Sequence, residues 1–575
     1  PEVEERDVDI LIGGGGMAAC GSAFEIKKWS GDKSVLLVDK AALERSGAVA
    51  QGLSAINTYI GENAPEDYVR MVRNDLMGIT RDDLVYDVGR HVDDSVHLFE
   101  EWGLPVWKKD AEGKNLNGAK GLEMGTLKEG AQPVRTGKWQ IMINGESYKC
   151  IVAEATKKAI GEENILERVF IVKLLLDANK ENTVAGAVGF SVRENKVYVI
   201  KCKTMMVACG GAVNIYMPRA QGEGKGRAWY PVWNSGSTYA MAAQVGAELT
   251  MFENRFTPAR FKDGYGPVGA WFLLFKAKAL NGLGEAFAGS DFAKAELNKH
   301  APYGLAAVTP TCLRNHLMLA EMKEGRGPIL MDTVTALAEL GKTMDKKELK
   351  HLESEAWEDF LDMTCGQANL WCAQNVEPEK KNSEIMPTEP YLLGSHSGCC
   401  GIWVSGPEED WVPDHYKWGY NRMTTVNGLF TSGDGVGASG HKFSSGSHAE
   451  GRIAAKAMCK YVADNPDFTP TLKESTQELV DLTYKPVRLF LDNFEYSTDT
   501  DFNPEYVKPD GFSMRLMKAT NEYGGGWMTY YQTSDKALEV LQEMFNEMHE
   551  DAEKLAAGDL HELMRCWEMR HRLWT

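Results

Sequence analysis

Apolar runs alternate with glycine-containing breaks through the first part of the chain. The run Ile10-Leu11-Ile12 gives way to four glycines and a segment of small residues, and residues 34–38 form a second apolar run. Short apolar runs bounded by turn signals are typical of buried strands. We therefore predict strand, glycine loop, helix and strand in that order. Further strands are predicted over residues 170–176, 185–192, 196–201 and 205–208.

Apolar residues at helical spacing predict helices elsewhere in the chain. Within residues 82–103, for example, Leu84, Val88, Val92 and Val96 fall on one helical face. Helices are predicted over residues 66–78, 82–103, 237–250, 476–493 and 534–574. Between about 256 and 390, aromatic loops rich in glycine and proline with short helices predict an inserted domain, whereas a helical domain follows residue 466.

The first glycine loop has the spacing Gly14-x-Gly16-x-x-Ala19. Glycines at these positions let backbone amides approach a pyrophosphate, and the N-terminus of the following helix attracts its negative charge. Asp39 ends the second strand about 20 residues later, where this fingerprint places the acid that binds an adenosine ribose. The sequence therefore predicts a bound dinucleotide.

Three later stretches have patterns that also suit contact with a bound dinucleotide. Residues 44–57 are rich in small and polar side chains, which suits backbone packed against a planar ring. An apolar strand ends just before Gly210 and Gly211, and residues 427–451 run from a strand through many glycines into a helix. The predicted cofactor contacts in the first loop and in these stretches are Gly14, Gly16, Ala19, Asp39, Ser46, Gly47, Gln51, Gly210, Gly211, Ser444 and Ser445.

Composition excludes several classes of function. The net charge of -19 over 575 residues argues against nonspecific nucleic-acid binding. No apolar run is long enough to span a bilayer, and the N-terminal residues lack an export signal, so we expect a cytoplasmic protein. The 11 cysteines are scattered without a C-x-x-C pair, which predicts free thiols and neither an iron–sulfur cluster nor another metal site in this chain.

The order of these features resembles the flavoproteins of the fumarate reductase and succinate dehydrogenase superfamily. The features are the first fingerprint, the mid-chain strand ending in Gly-Gly, and the late segment Gly428-Leu-Phe-x-x-Gly-Asp434. The resemblance implies that Asp434 contacts FAD. Glu44-Arg45-Ser46 stands where a histidine would attach the flavin, so noncovalent FAD is implied.

The substrate region departs from the dicarboxylate enzymes of that superfamily. Residues 254–272 replace their His-Pro-Thr-Gly motif, so succinate is an unlikely substrate. Together with residues 222–230, 311–316, 394–398 and 441–447, this region resembles the alpha subunits of dissimilatory adenylylsulfate reductases, over essentially the whole chain. The implied fold is an α/β FAD-binding (Rossmann-like) domain of residues 1–255 and 391–465, an inserted α+β capping domain of residues 256–390, and a helical domain of residues 466–575.

The implied reaction is the reversible two-electron reduction of adenosine 5′-phosphosulfate to sulfite and AMP, in dissimilatory sulfur metabolism. It would proceed through a sulfite adduct at flavin N5. The resemblance implies that Arg260 and His396 hold sulfate and phosphate oxygens and that Asn57 adds a polar contact. Trp229 would orient the flavin or relay an electron.

The adenine would lie between Arg314 and Leu273, with the backbone of Val268 and Gly269 completing that pocket. Electrons would come from a ferredoxin-like beta subunit carrying two 4Fe-4S clusters, in an alpha-beta heterodimer or larger assembly. A membrane complex could exchange electrons with it.

The residues alone leave alternatives open. Trp229 would more often be core packing, and Arg260 and Arg314 more often ion-pair residues. A fumarate reductase-like FAD oxidoreductase acting on another small anion and a noncatalytic flavin-holding subunit both fit the glycine loops, and the direction of the reaction is open. The C-terminal Tyr-Arg-x-Asp motif of the superfamily is absent, so we expect that the final segment is not represented in residues 1–575.

Overall fold

A computed structural model of the chain describes residues 1–51, 55–58, 64–76, 78–106, 111–112, 135–136, 140–143, 147–217, 230–262, 268, 275–300, 310–387, 390–396, 399–493, 506–525 and 533–575. The strands are β1 (Glu2–Gly13), β2 (Val35–Asp39), β3 (Ala55–Asn57), β4 (Arg135–Thr136), β5 (Gln140–Met142), β6 (Ile165–Glu167), β7 (Val169–Leu176), β8 (Val184–Ser191), β9 (Lys196–Val207), β10 (Leu249–Thr250), β11 (Ala259–Phe261), β12 (Ala279–Leu280), β13 (Ile329–Met331), β14 (Ser383–Pro387), β15 (Gly401–Ile402) and β16 (Leu429–Thr431). The helices are α1 (Met17–Trp29), α2 (Pro65–Asp75), α3 (Asp82–Glu101), α4 (Tyr148–Ile160), α5 (Ser237–Gln244), α6 (Asp291–His300), α7 (Pro310–Lys323), α8 (Thr333–Leu340), α9 (Lys346–Gln374), α10 (Phe443–Asp464), α11 (Thr476–Asp492), α12 (Pro509–Tyr523), α13 (Asp535–Ala552) and α14 (Leu560–Trp574).

The main sheet combines strands from three distant parts of the chain. Its order is β6-β2-β1-β9-β8-β7, and β16 also pairs with the C-terminal part of β9. Strands β6, β2, β1, β9 and β16 are mutually parallel, whereas β7 and β8 form an antiparallel extension on β9. The long apolar runs of β1 and β2 are buried because helices cover both faces of a parallel sheet.

The glycine loops meet at one edge of this sheet. Since β1, β9 and β16 run parallel, the segments that follow Gly13, Val207 and Thr431 leave from the same side. The carboxyl edge of an open parallel sheet is where ligands bind in such folds. Three sequence-distant loops are thereby brought to one place.

Helices α1 and α10 cross with almost no space between their backbones. A Cβ on Gly451 would lie 2.0 Å from the carbonyl oxygen of Ala18, and one on Gly21 would lie 2.3 Å from the carbonyl oxygen of His448. Glycine at both positions is therefore required by packing. This contact couples the helix after the first glycine loop to the helix after the last one.

Smaller sheets and the C-terminal helices complete the described chain. An antiparallel sheet of order β11-β14-β13-β12 lies within residues 259–387, and a sheet of order β3-β5-β4 and the pair β10-β15 are separate from it. Helices α11–α14 pack on the β7-β8-β9 face through an apolar cluster that includes Phe190, Leu516 and Trp567. Among the described helices, none has the length and apolarity needed to cross a membrane.

Several predicted elements were wrong in extent. Residues 196–201 and 205–207, predicted as parts of two strands, belong to the continuous strand β9, which ends at Val207, one residue before the predicted end. Lys201 and Lys203 are partly exposed and Cys202 is buried, which is the alternation of a strand. The helix predicted over 237–250 ends at Gln244, before Gly246 with its φ of 90°. The single helix predicted over 534–574 is two helices separated by residues 553–559, and the region predicted to hold short helices contains the 29-residue α9. The predicted domain boundaries stay predictions.

Candidate functional site

A cavity of about 280 Å3 opens at the carboxyl edge of the main sheet. Its wall contains most of the predicted cofactor contacts: Gly14, Gly16, Asp39, Ser46, Gly47, Gln51, Gly210, Asp434 and Ser444. Ala19, Gly211 and Ser445 lie beside these residues in the chain but not in the wall. The structure thus brings together residues that are more than 400 positions apart in sequence.

Glycines form the part of this wall where backbones approach closely. A Cβ on Gly14 would lie 2.2 Å from the carbonyl oxygen of Ala208, and one on Gly47 would lie 3.0 Å from the Cα of Gly16. Gly14 and Gly47 also have φ values of 113° and 82°. Larger residues would fill the cradle or strain the backbone. Helix α1 begins directly after Gly16 without a side-chain cap, so its N-terminus faces this cradle.

Asp39 lies at the end of β2 and is buried. Its Oδ2 accepts a hydrogen bond from the Ala41 amide at 3.2 Å. Burial raises the pKa of Asp39, although hydrogen bonding from Ser46 and the nearby charge of Lys149 oppose this change. A buried carboxylate beside a glycine cradle is suited to accept hydrogen bonds from ligand hydroxyl groups.

Asp434, in the turn after β16, is also held by several donors. Its Oδ1 accepts hydrogen bonds from the amide of Ser395 at 3.0 Å and from the Ser395 hydroxyl, and its Oδ2 accepts one from the Tyr230 hydroxyl. The Tyr239 hydroxyl donates to the carbonyl oxygen of Asp434 at 2.7 Å. Burial and the neighbouring Asp434 charge raise the pKa of Tyr230, which keeps its hydroxyl protonated as a donor.

A buried network of charges lies directly beneath this turn. Glu450 accepts hydrogen bonds from the Gly433 amide at 2.8 Å, from Lys442 Nζ at 2.9 Å and from Arg422 Nε at 2.9 Å. Arg422 also donates to Asp87 at 3.2 Å. Arg90, which is partly exposed, also pairs with Asp87 at 2.7 Å, so each buried charge of the network has an opposite charge beside it, as buried charges require. The network fixes the position of the Gly433–Asp434 backbone.

His396 lies in the cavity wall beside three aromatic rings. Its ring centroid is 4.8 Å from that of Phe443, 4.9 Å from that of Phe256 and 5.8 Å from that of Tyr230. Burial is the main reason that the pKa of His396 is lowered to about 4; the Asp434 carboxylate opposes this change, and the positive charges of Arg260 and Lys442 add to it. His396 is therefore neutral at pH 7.

Arg260 is buried on β11, in register with Met386, and its Nη1 donates to the Ala259 carbonyl at 2.6 Å. Asn57 is buried on β3, where its Nδ2 donates to the His441 carbonyl at 2.8 Å and its own carbonyl accepts from Ser445 Oγ at 2.7 Å. Neither residue belongs to the cavity wall itself. The charge of Arg260 nevertheless acts on His396, so the two lie in one electrostatic environment.

Comparison with known proteins identifies the family and the fold of the chain. Residues 9–332 match the model of the FAD binding domain family. The adenylylsulfate reductase subunit alpha of Megalodesulfovibrio gigas is 62% identical, over 100% of this chain and 88% of that protein. The chain belongs to the family of adenylylsulfate reductase alpha subunits. The resemblance inferred from sequence is thereby confirmed.

Two solved structures of adenylylsulfate reductases are similar throughout. The enzyme of Archaeoglobus fulgidus and an adenosine 5′-phosphosulfate reductase in complex with sulfite, described as a covalent adduct, each have a TM-score of 0.91 and 52% identity. Each comparison covers 100% of this chain and 88% of the other. The predicted α/β FAD-binding fold of the chain is confirmed.

Part of the predicted substrate site lies outside the described residues, namely Trp229, Gly269 and Leu273. Arg314 lies on α7. Val268 is buried in the apolar cluster that also contains Phe261 and Phe275. The roles assigned to these residues in the alpha subunit stay predictions.

Sequence reasoning missed several residues that shape the site of this alpha subunit. Tyr230 and Ser395 hold Asp434, and Glu450 supports the turn from below. On α14, Arg572 Nε donates to the Val213 carbonyl at 3.1 Å, and Nδ1 of His571 lies 2.8 Å from Ser237 Oγ, whose residue lines the cavity. Ser395 and Tyr230 had a visible signal, since they adjoin His396 and Trp229 in the sequence.

The described residues offer neither a reactive cysteine in the cavity wall nor a metal site. Burial raises the pKa of the Cys209 thiol in the cavity wall to about 12, so it remains protonated and a poor nucleophile. Within the part of the chain that the structure describes, no group of three histidine, cysteine or acidic residues could hold a metal ion.

Proposed function

We propose that this chain reduces adenosine 5′-phosphosulfate to sulfite and AMP in a reversible two-electron reaction, with FAD bound in the main cavity. The observation that carries the proposal is the cavity itself, where the glycine loops, Asp39 and His396 meet at the sheet edge. Family membership supports the same reaction, because the similar proteins carry the name adenylylsulfate reductase.

The residues present fit FAD. Side chains at Gly14 or Gly47 would occupy the cradle, while Asp39 and the α1 N-terminus suit a ribose and a pyrophosphate. Glu44, Arg45 and Ser46 offer no histidine for attachment at the expected position, so binding is noncovalent. Bound FAD supplies the electron pair and the flavin atom that takes sulfur.

The chain supplies binding and orientation for two anionic groups. Arg260 provides a fixed, permanent positive charge for sulfate and phosphate oxygens. His396 lies under the influence of that charge and in the cavity wall, and Asn57 is anchored to the segment that carries His441. The adenine lies between Arg314 and Leu273 along Val268 and Gly269, and Trp229 orients the flavin or relays an electron.

The family name also indicates a partner, since an alpha subunit assembles with a beta subunit. We propose that this partner is ferredoxin-like, carries two 4Fe-4S clusters and delivers the electrons. The heterodimer works in the cytoplasm and exchanges electrons with a membrane complex.

The test uses the purified heterodimer. Sulfite should bleach the oxidised flavin, and AMP should then allow formation of adenylylsulfate with an electron acceptor. Arg260→Ala should lower kcat/KM for adenylylsulfate by about 10- to 150-fold, the value of a charge-assisted hydrogen bond.

Arg326→Ala is the matched control, because Arg326 pairs with Glu321 outside the cavity wall and should leave kcat/KM unchanged. Fumarate reduction without any effect of AMP would contradict the proposed function. Unchanged kinetics of the Arg260 variant would remove only that assignment.

A further inference from the structure

A chain of hydrogen bonds connects the turn after β16 to the edge of the His396 ring. The Ser395 hydroxyl contacts Oδ1 of Asp434, and Ser395 Oγ lies 3.1 Å from Nδ1 of His396. Tyr230 donates to the other carboxylate oxygen of Asp434. All four side chains are buried in the wall of the cavity.

The protons available on these side chains determine the direction of each hydrogen bond in the series. Asp434 accepts hydrogen bonds from the Ser395 amide, the Ser395 hydroxyl and the Tyr230 hydroxyl. The hydroxyl of Ser395 has one proton, and that proton points at Asp434. Ser395 Oγ is then an acceptor toward His396, so Nδ1 of the ring must carry a proton.

The charges around His396 keep the opposite nitrogen unprotonated. Arg260 on β11, together with His441 and Lys442 before α10, opposes a positive charge on the ring, whereas Asp434 favours one. Since the ring is neutral, the Nδ1-H form leaves Nε2 as the acceptor nitrogen. An acceptor cannot donate a hydrogen bond to a sulfate or phosphate oxygen.

We propose that Ser395 is a positioning residue that fixes the Nδ1-H tautomer of His396, so that the ring takes up one proton at Nε2 when adenosine 5′-phosphosulfate binds. This inference rests on the proposed function. The proton comes from solvent, and no bond of the substrate forms or breaks in the step. A bound anion adds negative charge beside the ring, which favours the imidazolium and turns Nε2 into a donor.

The test measures proton uptake on substrate binding to the oxidised, flavin-loaded heterodimer without an electron donor. Adenosine 5′-phosphosulfate is titrated calorimetrically in two buffers of different ionisation enthalpy, at about neutral pH. The phosphosulfate group has no ionisation in this range, so uptake reports the protein. Wild type and Ser395→Thr, which keeps the hydroxyl, should each take up about one proton.

Ser395→Ala should lose most of this uptake, because the ring is then able to carry its proton on Nε2 and donate without further protonation. In wild type, the dissociation constant should also rise by up to about tenfold per pH unit between the pKa of the free His396 ring and the pKa of the ring in the complex, and this slope should flatten in Ser395→Ala. Binding by wild type without proton uptake, or equal uptake in the alanine variant, would overturn the inference.

A second measurement does not depend on a variant of Ser395. Long-range proton–nitrogen NMR on the histidine-labelled, substrate-free heterodimer should show a protonated Nδ1 and a bare Nε2 for the signal that disappears in His396→Gln. The opposite tautomer would contradict the inference even if Ser395→Ala failed to fold. Absence of substrate binding and turnover in wild type would instead count against the proposed function.

Discussion

Glu450 provides the sharpest prediction about how the late glycine loop is held. Its two carboxylate oxygens accept hydrogen bonds from the Gly433 amide, Lys442 Nζ and Arg422 Nε, all between 2.8 and 2.9 Å. Glu450 and Arg422 are fully buried, and Lys442 is nearly so. Asp87 is the other acid bonded to Arg422. The carboxylate is therefore part of a balanced group of buried charges.

Glu450→Gln keeps the size of the side chain and removes its charge. All three neighbours of Glu450 are donors, so its replacement amide places a donor against a donor in either orientation. Lys442 would then lose its ion-pair partner, and Arg422 would keep only its contact with Asp87. Removing one partner of a buried ion pair costs about 3 to 5 kcal/mol. We expect a loss of that size in the stability of the flavin-binding region.

The assay is urea-induced release of the flavin, followed by the rise in flavin fluorescence in the heterodimer. The shift in midpoint, multiplied by the wild-type slope, gives the change in free energy. Glu408→Gln is the control, because Glu408 pairs with Lys460 at 2.8 Å with both side chains about half exposed, and it should cost less than about 1 kcal/mol. Equal midpoints for the two variants would refute the role assigned to Glu450.

Two further predictions concern packing and pH. Thermal unfolding should show that Gly451→Ala lowers the stability by about 1 to 3 kcal/mol, because its new Cβ would be too close to Ala18. Gly289→Ala is the control and should leave the stability unchanged, because its Cβ would meet nothing within 4 Å. Burial lowers the pKa of His571 from 6.5 to about 4 in the folded protein. As the pH falls, the histidine is therefore protonated in the unfolded chain at a higher pH than in the folded protein, so the stability decreases between about pH 6.5 and about pH 4. The lowered pKa of His571 accounts for a loss of about 3 kcal/mol in the free energy of unfolding over this pH range. In urea titrations, His571→Gln should therefore lose less stability than wild type between about pH 6.5 and about pH 4. An identical loss in both proteins would contradict the role given to His571.

Local patterns were sufficient to predict the strands and glycine loops that form the cradle. The first fingerprint is contiguous, and its glycines have a direct geometric cause, as the approach of Gly14 to Ala208 demonstrates. Asp39 and Asp434 were also predicted from short motifs, and both lie in the cavity wall.

Contacts that depend on tertiary structure could not be predicted in this way. Tyr230 and Ser395 meet Asp434 across 204 and 39 positions of sequence, and no local signal indicates that pairing. Glu450 lies within a helix, where a charged residue is expected to face solvent, and only the convergence of Arg422 and Lys442 explains its burial. The polar residues Lys201 and Lys203 likewise concealed the continuity of β9.

The dispersed origin of the main sheet has a consequence for biosynthesis. Strand β16 pairs with the end of β9, although about 220 residues separate the two strands. At about 5 to 20 residues per second, a ribosome needs about 10 to 45 s to make that interval. Until then the nascent chain lacks Asp434 and α10. We therefore expect FAD to be retained only after synthesis has passed α10, so that cofactor insertion follows rather than guides the folding of the first glycine loop.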